Sequence, residues 1–357
     1  MNVHKRFQLI KEVGEEIVTK EDLMKLLGEK KKFIAYDGFE PSGRIHLAQG
    51  VLRAINVNKM IKAGAKFKML VADWHAWANN KLSGDLKKIK VAGKYFIEVW
   101  KACGMNLENV EFIWASDLLN NRNYWKTVMQ VARSATLKRI LRTTQIMGRS
   151  EKEILQASHI IYPCMQAADI FHLKADVCQL GMDQRKVNVL AREIGEKIGY
   201  WKPIIVSHHM LMGLQQPATT EKDAVERAID MKMSKSKPDT AIFMTDSQEE
   251  INRKMNKAWC PNTIKENPVL EYCKYIIFEK FDNIEIKRPD KFGGNLTIKS
   301  YNELEELYSN NKIHPLDLKK TVAFYINELI DPVRKHFEKN KAAKKLKEQV
   351  ESYEVTR

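Results

Sequence analysis

Phe33-Ile34-Ala35-Tyr36-Asp37-Gly38-Phe39-Glu40-Pro41-Ser42-Gly43-Arg44-Ile45-His46-Leu47-Ala48-Gln49-Gly50 runs from a short apolar strand through a turn into a helix. Glycines at 38, 43 and 50 allow tight turns and a close approach of the backbone to a ligand. A helix beginning near Ile45 turns free backbone N–H groups and the positive end of its dipole toward an anion. His46 and Gln49 then fall within one turn of each other, where both side chains can donate to phosphate oxygens. Taken alone, a His-x-x-Gln at a helix start is structural.

The alternation of strand and helix continues outward from this stretch. Apolar runs at 33–38, 67–73, 110–116, 175–181 and 203–207 read as buried parallel strands. Amphipathic stretches lie between them near 45–62, 85–103, 122–143, 151–172 and 183–199, the fourth opened by Ser150 and Glu153 as a capping box. Such an order predicts an α/β doubly wound parallel sheet of Rossmann type over residues 1–241. Ligands of such sheets sit beyond the carboxyl ends of the strands. After about residue 242 the pattern turns helical and rich in Lys, Glu and Asn, broken by a loop with Pro289, Gly293, Gly294 and Pro315. Residues 242–357 are expected to form a mainly helical C-terminal domain. The lysine-rich stretch 341–347 reads as a solvated helix face.

A chain of 357 residues has length for two cores, and 44% hydrophobic with 29% charged residues is ordinary for a globular protein. The net charge of +15 suits the phosphate backbone of a nucleic-acid partner, although the same lysines also decorate solvated faces. Cysteines at 103, 164, 178, 260 and 273 include no CxxC pair and no Cys/His cluster at zinc spacing, so reduced structural thiols and no protein-bound metal are expected. His208-His209, at the end of an apolar run, reads as a packing or strand-end pair. Met60, Met69 and Met147, with the tryptophans at 74, 77, 100 and 114, read as core. The N-terminus lacks an apolar leader and no 18-residue apolar stretch occurs, which makes a cytoplasmic protein off the membrane the default.

A second anion-binding piece lies far downstream in Met231-Lys232-Met233-Ser234-Lys235-Ser236-Lys237-Pro238. Three lysines in a short polar loop closed by proline suit a mobile clamp on polyphosphate, with serine hydroxyls as further donors. A solvated basic loop is the alternative. Following the last strand of the sheet, this loop belongs beside His46.

His46-Leu47-Ala48-Gln49 together with residues 232–236 resembles the HIGH and KMSKS signatures of class I aminoacyl-tRNA synthetases. Tyr162-Pro163-Cys164-Met165-Gln166-Ala167-Ala168-Asp169, followed by Gly181-Met182-Asp183-Gln184-Arg185-Lys186, resembles the tyrosine pocket of the archaeal and eukaryotic cytoplasmic tyrosyl-tRNA synthetases. His314-Pro315-Leu316-Asp317 resembles their anticodon-reading element. One departure is that Gln49 stands where the signature has its second histidine. Gln donates a hydrogen bond to phosphate but never becomes cationic.

The pocket residues make chemical sense in themselves. Tyr162, Gln166 and Asp169 are four and three apart, on one face of a helix expected to start near Ile154. For a tyrosine substrate, Tyr36 would donate to the phenol oxygen, Asp169 would accept the phenol proton, and Tyr162, Gln166 and Gln184 would hold the α-ammonium. A phenylalanine would leave Tyr36 and Asp169 unpaired. Asp73 and His75 follow the second strand and line the same crevice; a helix cap and a substrate-facing role both fit them.

The resemblance implies that tyrosine is activated by ATP and passed to the terminal adenosine of tRNA(Tyr). Gly43, His46, Gln49, Lys232, Met233, Ser234, Lys235 and Ser236 would bind ATP, with His46, Gln49, Lys232 and Lys235 acting electrostatically on the phosphates. Mg²⁺ would arrive with ATP. Arg185 would help read the acceptor end, and His314 with Asp317 the first anticodon base. Residues 120–158 resemble the connective insertion through which these enzymes form homodimers. A tryptophanyl synthetase would share both signatures, but indole offers a donor and no acceptor, which suits Tyr36 with Asp169 poorly. A fold-keeping RNA-binding protein without catalysis would have no use for Lys232 and Lys235.

Overall fold

The structure is a computed structural model and describes residues 1–148, 156–217, 227, 231–233, 235 and 237–354. The opening stretch forms β2 (Phe33–Phe39), inside a six-stranded sheet. Its companions are β1 (Glu16–Val18), β3 (Ala65–Val71), β4 (Val110–Trp114), β5 (Val177–Cys178) and β6 (Ile204–Ser207). Their spatial order is β1-β6-β5-β2-β3-β4. All neighbours run parallel except β1, which pairs antiparallel with the edge of β6 through Glu16 and Ser207. From β2 the chain winds outward through β3 and β4, then returns to lay β5 and β6 on the other side. The switch point therefore falls between β2 and β5, and it opens a crevice beyond Phe39 and Cys178.

Helices cover the sheet where their apolar faces require it. Leu86–Ala102 is capped by Asp85, whose side chain accepts from the backbone N–H groups of Lys87 and Lys88, and it buries Ile89, Tyr95, Phe96, Val99 and Trp100. Ala157–His172 is buried without interruption from Tyr162 to Phe171 and forms the wall of the pocket.

Several expected boundaries move. His46 lies before the helix rather than in it: it bridges to Phe243, a π-type turn follows at Ala48–Leu52, and the α-helix proper is Arg53–Lys62. Close packing accompanies that turn, since a Cβ on Gly50 would come within 2.4 Å of Met244 Sδ. The stretch 122–143 divides into Arg122–Ser134 and Leu137–Thr143, because Thr136 breaks away to cap the second helix. Ser150 and Glu153 lie outside the described residues. The helix expected over 183–199 is Arg185–Ile194, flanked by single 3-10 turns.

Beyond residue 242 the chain is helical, chiefly Gln248–Lys257, Tyr301–Ser309, Pro315–Lys339 and Lys341–Glu351. A short hairpin was not foreseen: β7 (Ile284–Ile286) pairs with β8 (Leu296–Ile298), and Pro289, Gly293 and Gly294 form its connection. Pro315 is not a loop residue but the first residue of its helix. Lys341, Lys344 and Lys345 are solvent-exposed. One apolar cluster holds Leu47 and Val51 together with Ile242, Phe243, Met244, Ile326 and Phe337, so the two ends of the chain share a core. Met60, Met69, Met147 and Trp100 are buried as expected, whereas Trp77 is 45% exposed.

Beneath the crevice, Arg53 and Asp37 form a fully buried ion pair at 2.7 Å. Arg53 also donates to the side chain and carbonyl of Gln179, and its guanidinium lies 5.5 Å over the Phe67 ring. Gln179 and Arg53 both reach His208 Nδ1, which ties the ends of β2, β5 and β6 together and gives His208 the strand-end role expected of it. Burial, then Arg53 and His209, hold His208 well below its usual pKa, so it is neutral there.

Candidate active site

The crevice holds two adjoining groups of side chains. On the pocket side, Tyr36 projects from β2, and its buried hydroxyl lies near the Gln166 side chain and makes no hydrogen bond to Asp169. Burial first, then Cys178, Asp169 and Asp37, raises its pKa well above the phenol range, so the hydroxyl keeps its proton and remains a donor. Asp169 is completely buried: Tyr124 Oη donates to Oδ1 at 2.8 Å, and His75 Nε2 stands 2.9 Å from Oδ2 as an ion-pair contact without hydrogen-bond geometry. At the other end, Gln166 Nε2 donates to Gln184 Oε1 at 3.0 Å, while Gln184 Nε2 donates to the Ile146 carbonyl at 3.0 Å. Tyr162 meets the His75 ring edge-on at 5.1 Å. Burial, followed by the charge of Glu40 and a hydrogen bond to it, raises the Tyr162 phenol well above its ordinary range.

Tyr124 satisfies Asp169 Oδ1, while Asp169 Oδ2 and the Tyr36 hydroxyl have no hydrogen bond, so a phenylalanine would leave both unpaired. The two open alternatives also separate. Asp73 acts structurally, its Oδ1 accepting from Trp74 N at 3.0 Å and from Ser116 N at 2.9 Å, which joins the ends of β3 and β4. His75 faces the pocket. Burial lowers its pKa, but the charge and hydrogen bond of Asp169, with Glu40 and Asp73, outweigh that and raise it overall.

Tyr124, Glu40 and Asn79 were missed. Asn79 Nδ2 donates to Glu40 Oε1 at 2.9 Å and thereby aims that carboxylate at Tyr162. The sequence signal for Glu40 was its place just past β2, where ligands are expected; nothing in the spacing marked Tyr124.

The phosphate side begins at Gly43, whose φ of 120° is open to glycine and strained for other residues. His46 Nδ1 and Gln49 Oε1 are buried without partners. Burial, then Lys235 and Lys232, hold His46 well below its usual pKa, so it meets a ligand as a neutral imidazole. Lys235 Nζ lies 3.2 Å from Ser42 Oγ and 4.7 Å from the centre of the Phe96 ring. Burial, then Lys81, push its pKa down to about 7 against the opposing pull of Glu40. Lys232 Nζ is 2.7 Å from Asp183 Oδ2, and its backbone bridges Met212. Met233 is buried. Ser234 and Ser236 lie outside the described residues. Asp183 precedes Gln184, so Lys232 stands where the two groups of side chains meet.

The remaining candidates lie apart from the crevice. Arg185 opens its helix and donates to Glu16 Oε2 at 2.6 Å beside the edge strand β1. His314 caps the long helix Pro315–Lys339 by accepting from Leu316 N, and Asp317 lies in that helix's first turn. Among the described residues no His, Cys, Asp and Glu group could hold a metal ion, and no helix is long and apolar enough to cross a membrane.

Compared with known proteins, residues 28–331 match the family described as tRNA synthetases class I (W and Y). A cytoplasmic tyrosine–tRNA ligase of Arabidopsis thaliana is 52% identical over 99% of this chain and 90% of its own length. The chain belongs to the tyrosyl branch of the class I tRNA synthetases. Solved structures of that branch superpose closely. A Pyrococcus horikoshii tyrosyl-tRNA synthetase complexed with L-tyrosine gives a TM-score of 0.91 at 39% identity, covering 98% of this chain and all of that one. The Leishmania major tyrosyl-tRNA synthetase in complex with tyrosinol gives 0.91 at 40% identity, with this chain spanning 61% of that longer one. Membership of the tyrosyl branch carries the activity: tyrosine is activated with ATP and transferred to tRNA.

Proposed function

We propose that the crevice performs the first half-reaction with the phenol of tyrosine between Tyr36 and Asp169, and its α-ammonium among Tyr162, Gln166 and Gln184. Glu40, aimed by Asn79, adds negative charge at the ammonium end. The observation that carries this reading is the pairing of a buried Tyr36 donor, not bonded to Asp169, with an Asp169 acceptor anchored by Tyr124 in one buried pocket. The tyrosine carboxylate, already ionised, attacks the α-phosphate of ATP without a general base, and pyrophosphate leaves. His46 and Gln49 donate hydrogen bonds, while Lys232 and Lys235 follow the charge that develops on the phosphates. Gly43 lets the backbone approach the nucleotide, and Met233, Ser234 and Ser236 complete the loop. Mg²⁺ enters as the ATP complex and keeps most of its waters.

For the second half-reaction, Arg185 meets the acceptor end of tRNA(Tyr). Residues 242–357 serve as the anticodon-binding part, where Asp317 accepts from guanine N–H donors beside His314. Two copies pair through residues 120–158, a reading supported by the exposure of Trp125 (39%), Met129 (59%) and Leu137 (61%). The cytoplasm is its place of action, as the name of the Arabidopsis relative states for that protein. Pyrophosphate exchange with tyrosine, tryptophan and phenylalanine in turn tests the pocket. Exchange with tyrosine alone is expected, and equal exchange with tryptophan would overturn it.

A further inference from the structure

Three separate elements meet at Asp169, two of them each bringing one donor. His75 comes from the helix Asp73–Ala78 at the end of β3, Tyr124 from Arg122–Ser134, and Asp169 itself from Ala157–His172. His75 is 1% exposed, and Tyr124 and Asp169 are fully buried. An ionised carboxylate in such surroundings takes every donor within reach, because leaving it unpaired is expensive. The nearby Tyr36 hydroxyl is also buried and keeps its proton, yet it makes no hydrogen bond to Asp169. Tyr124 Oη on Oδ1 and the His75 ring 2.9 Å from Oδ2 hold the carboxylate from two sides, while Oδ2 and the Tyr36 hydroxyl both stay open to a further partner.

We propose that His75 and Tyr124 are positioning residues that set tyrosine-over-phenylalanine specificity, by holding the Asp169 carboxylate apart from the Tyr36 hydroxyl and so keeping both groups open to the substrate phenol. The inference rests on the reading of Tyr36 and Asp169 as the phenol site. If either support is removed, Asp169 turns and captures the Tyr36 hydroxyl. The donor intended for tyrosine is then lost. At the same moment the two groups satisfy each other, so a phenylalanine ring no longer leaves Tyr36 unpaired. Selectivity thus falls from both directions, and the chemistry at the phosphates is untouched.

Pyrophosphate exchange on the full chain, measured as kcat/KM for tyrosine and for phenylalanine, tests this with Tyr124→Phe, His75→Leu, His75→Gln and Asp169→Asn. Tyr124→Phe and His75→Leu are expected to lower the tyrosine-to-phenylalanine ratio by about 10- to 100-fold, the size of one misplaced buried hydrogen bond. The change should fall in KM for tyrosine, with KM for ATP unaltered. His75→Gln, which keeps an N–H donor, should restore most of the ratio. Equal losses with both amino acids would overturn the proposal by making the two residues merely structural. So would an intact ratio in Tyr124→Phe and His75→Leu while Asp169→Asn collapses it. An intact ratio in Asp169→Asn itself would bring down the underlying phenol site as well.

Discussion

Lys232 Nζ lies 2.7 Å from Asp183 Oδ2, so the first lysine of the phosphate loop is tethered to the residue beside Gln184. The tether is partly open to solvent and weak enough to exchange for a phosphate. On the proposed reading of the site, it holds the ammonium at the junction where the amino-acid carboxylate and the α-phosphate would meet. Replacing Lys232 and Lys235 together by Ala is therefore expected to slow adenylate formation at least about 100-fold, as loss of preorganised donors does elsewhere. Tyrosine affinity should stay within about twofold, since neither lysine touches the pocket residues. Rapid-quench measurement of the first turnover checks this, and unchanged activation would sink the assignment.

Lys235 gives the ATP step a pH dependence. Its pKa is lowered to about 7, so the free site carries that charge fully only below neutrality and loses it as the pH rises. Phosphate oxygens favour the charged form, and ATP binding takes up a proton. kcat/KM for ATP should accordingly decline as the pH rises through about 7. In Lys235→Arg the guanidinium stays ionised, and that limb should vanish from the profile. A profile shared by both proteins would place the titration elsewhere.

Asp317 and His314 stand far from the crevice elements, so their loss should separate the two half-reactions. Asp317→Ala should raise KM for tRNA(Tyr) about 10-fold or more, the worth of one base contact, and leave pyrophosphate exchange as it was. His314 also caps its helix, so His314→Ala should add a stability loss of about 1 kcal/mol. Equal damage to exchange and charging would make Asp317 structural.

The buried pair beneath the crevice sets a stability test. Arg53→Ala leaves Asp37 buried without its counter-ion, so that burial drives the carboxyl toward its neutral form, and the loss should cost about 3–5 kcal/mol. Removing both partners in Arg53→Met with Asp37→Leu should cost less than Arg53→Ala alone. Urea denaturation measures both, and a double variant weaker than the single one would show that the charges are not the issue.

Met129 and Leu137 are exposed in the single chain, so charging them should not unfold it. If residues 120–158 form the pairing surface, Met129→Glu with Leu137→Glu should sediment as a monomer and melt within a few degrees of the parent. A dimer of undiminished affinity would move the interface elsewhere.

The parallel strands and the crevice were legible because buried strands leave continuous apolar runs, and β2 with its glycine turn announces its ligand end. Register at the helix start was not: the delay from Ile45 to Ala48 comes from the bridge between His46 and Phe243, a contact between residues far apart in the chain. The hairpin of β7 and β8 escaped because three-residue strands carry too little periodicity. Tyr162, Gln166 and Asp169 share a helix face and could be grouped by spacing alone. Tyr124 reaches Asp169 from another helix, and no local pattern encodes such a meeting.

The bridge at His46 has a further consequence. Leu47 N donates to the Ile242 carbonyl and Met244 N to the Ile45 carbonyl, so the ATP-side strip is stitched to backbone that follows residue 241. A fragment ending there would lose both stitches and bare Leu47 and Val51 to water. Tyrosine activation, whose proposed groups all lie in the first two thirds of the chain, would thus depend on the last third for the shape of its own floor.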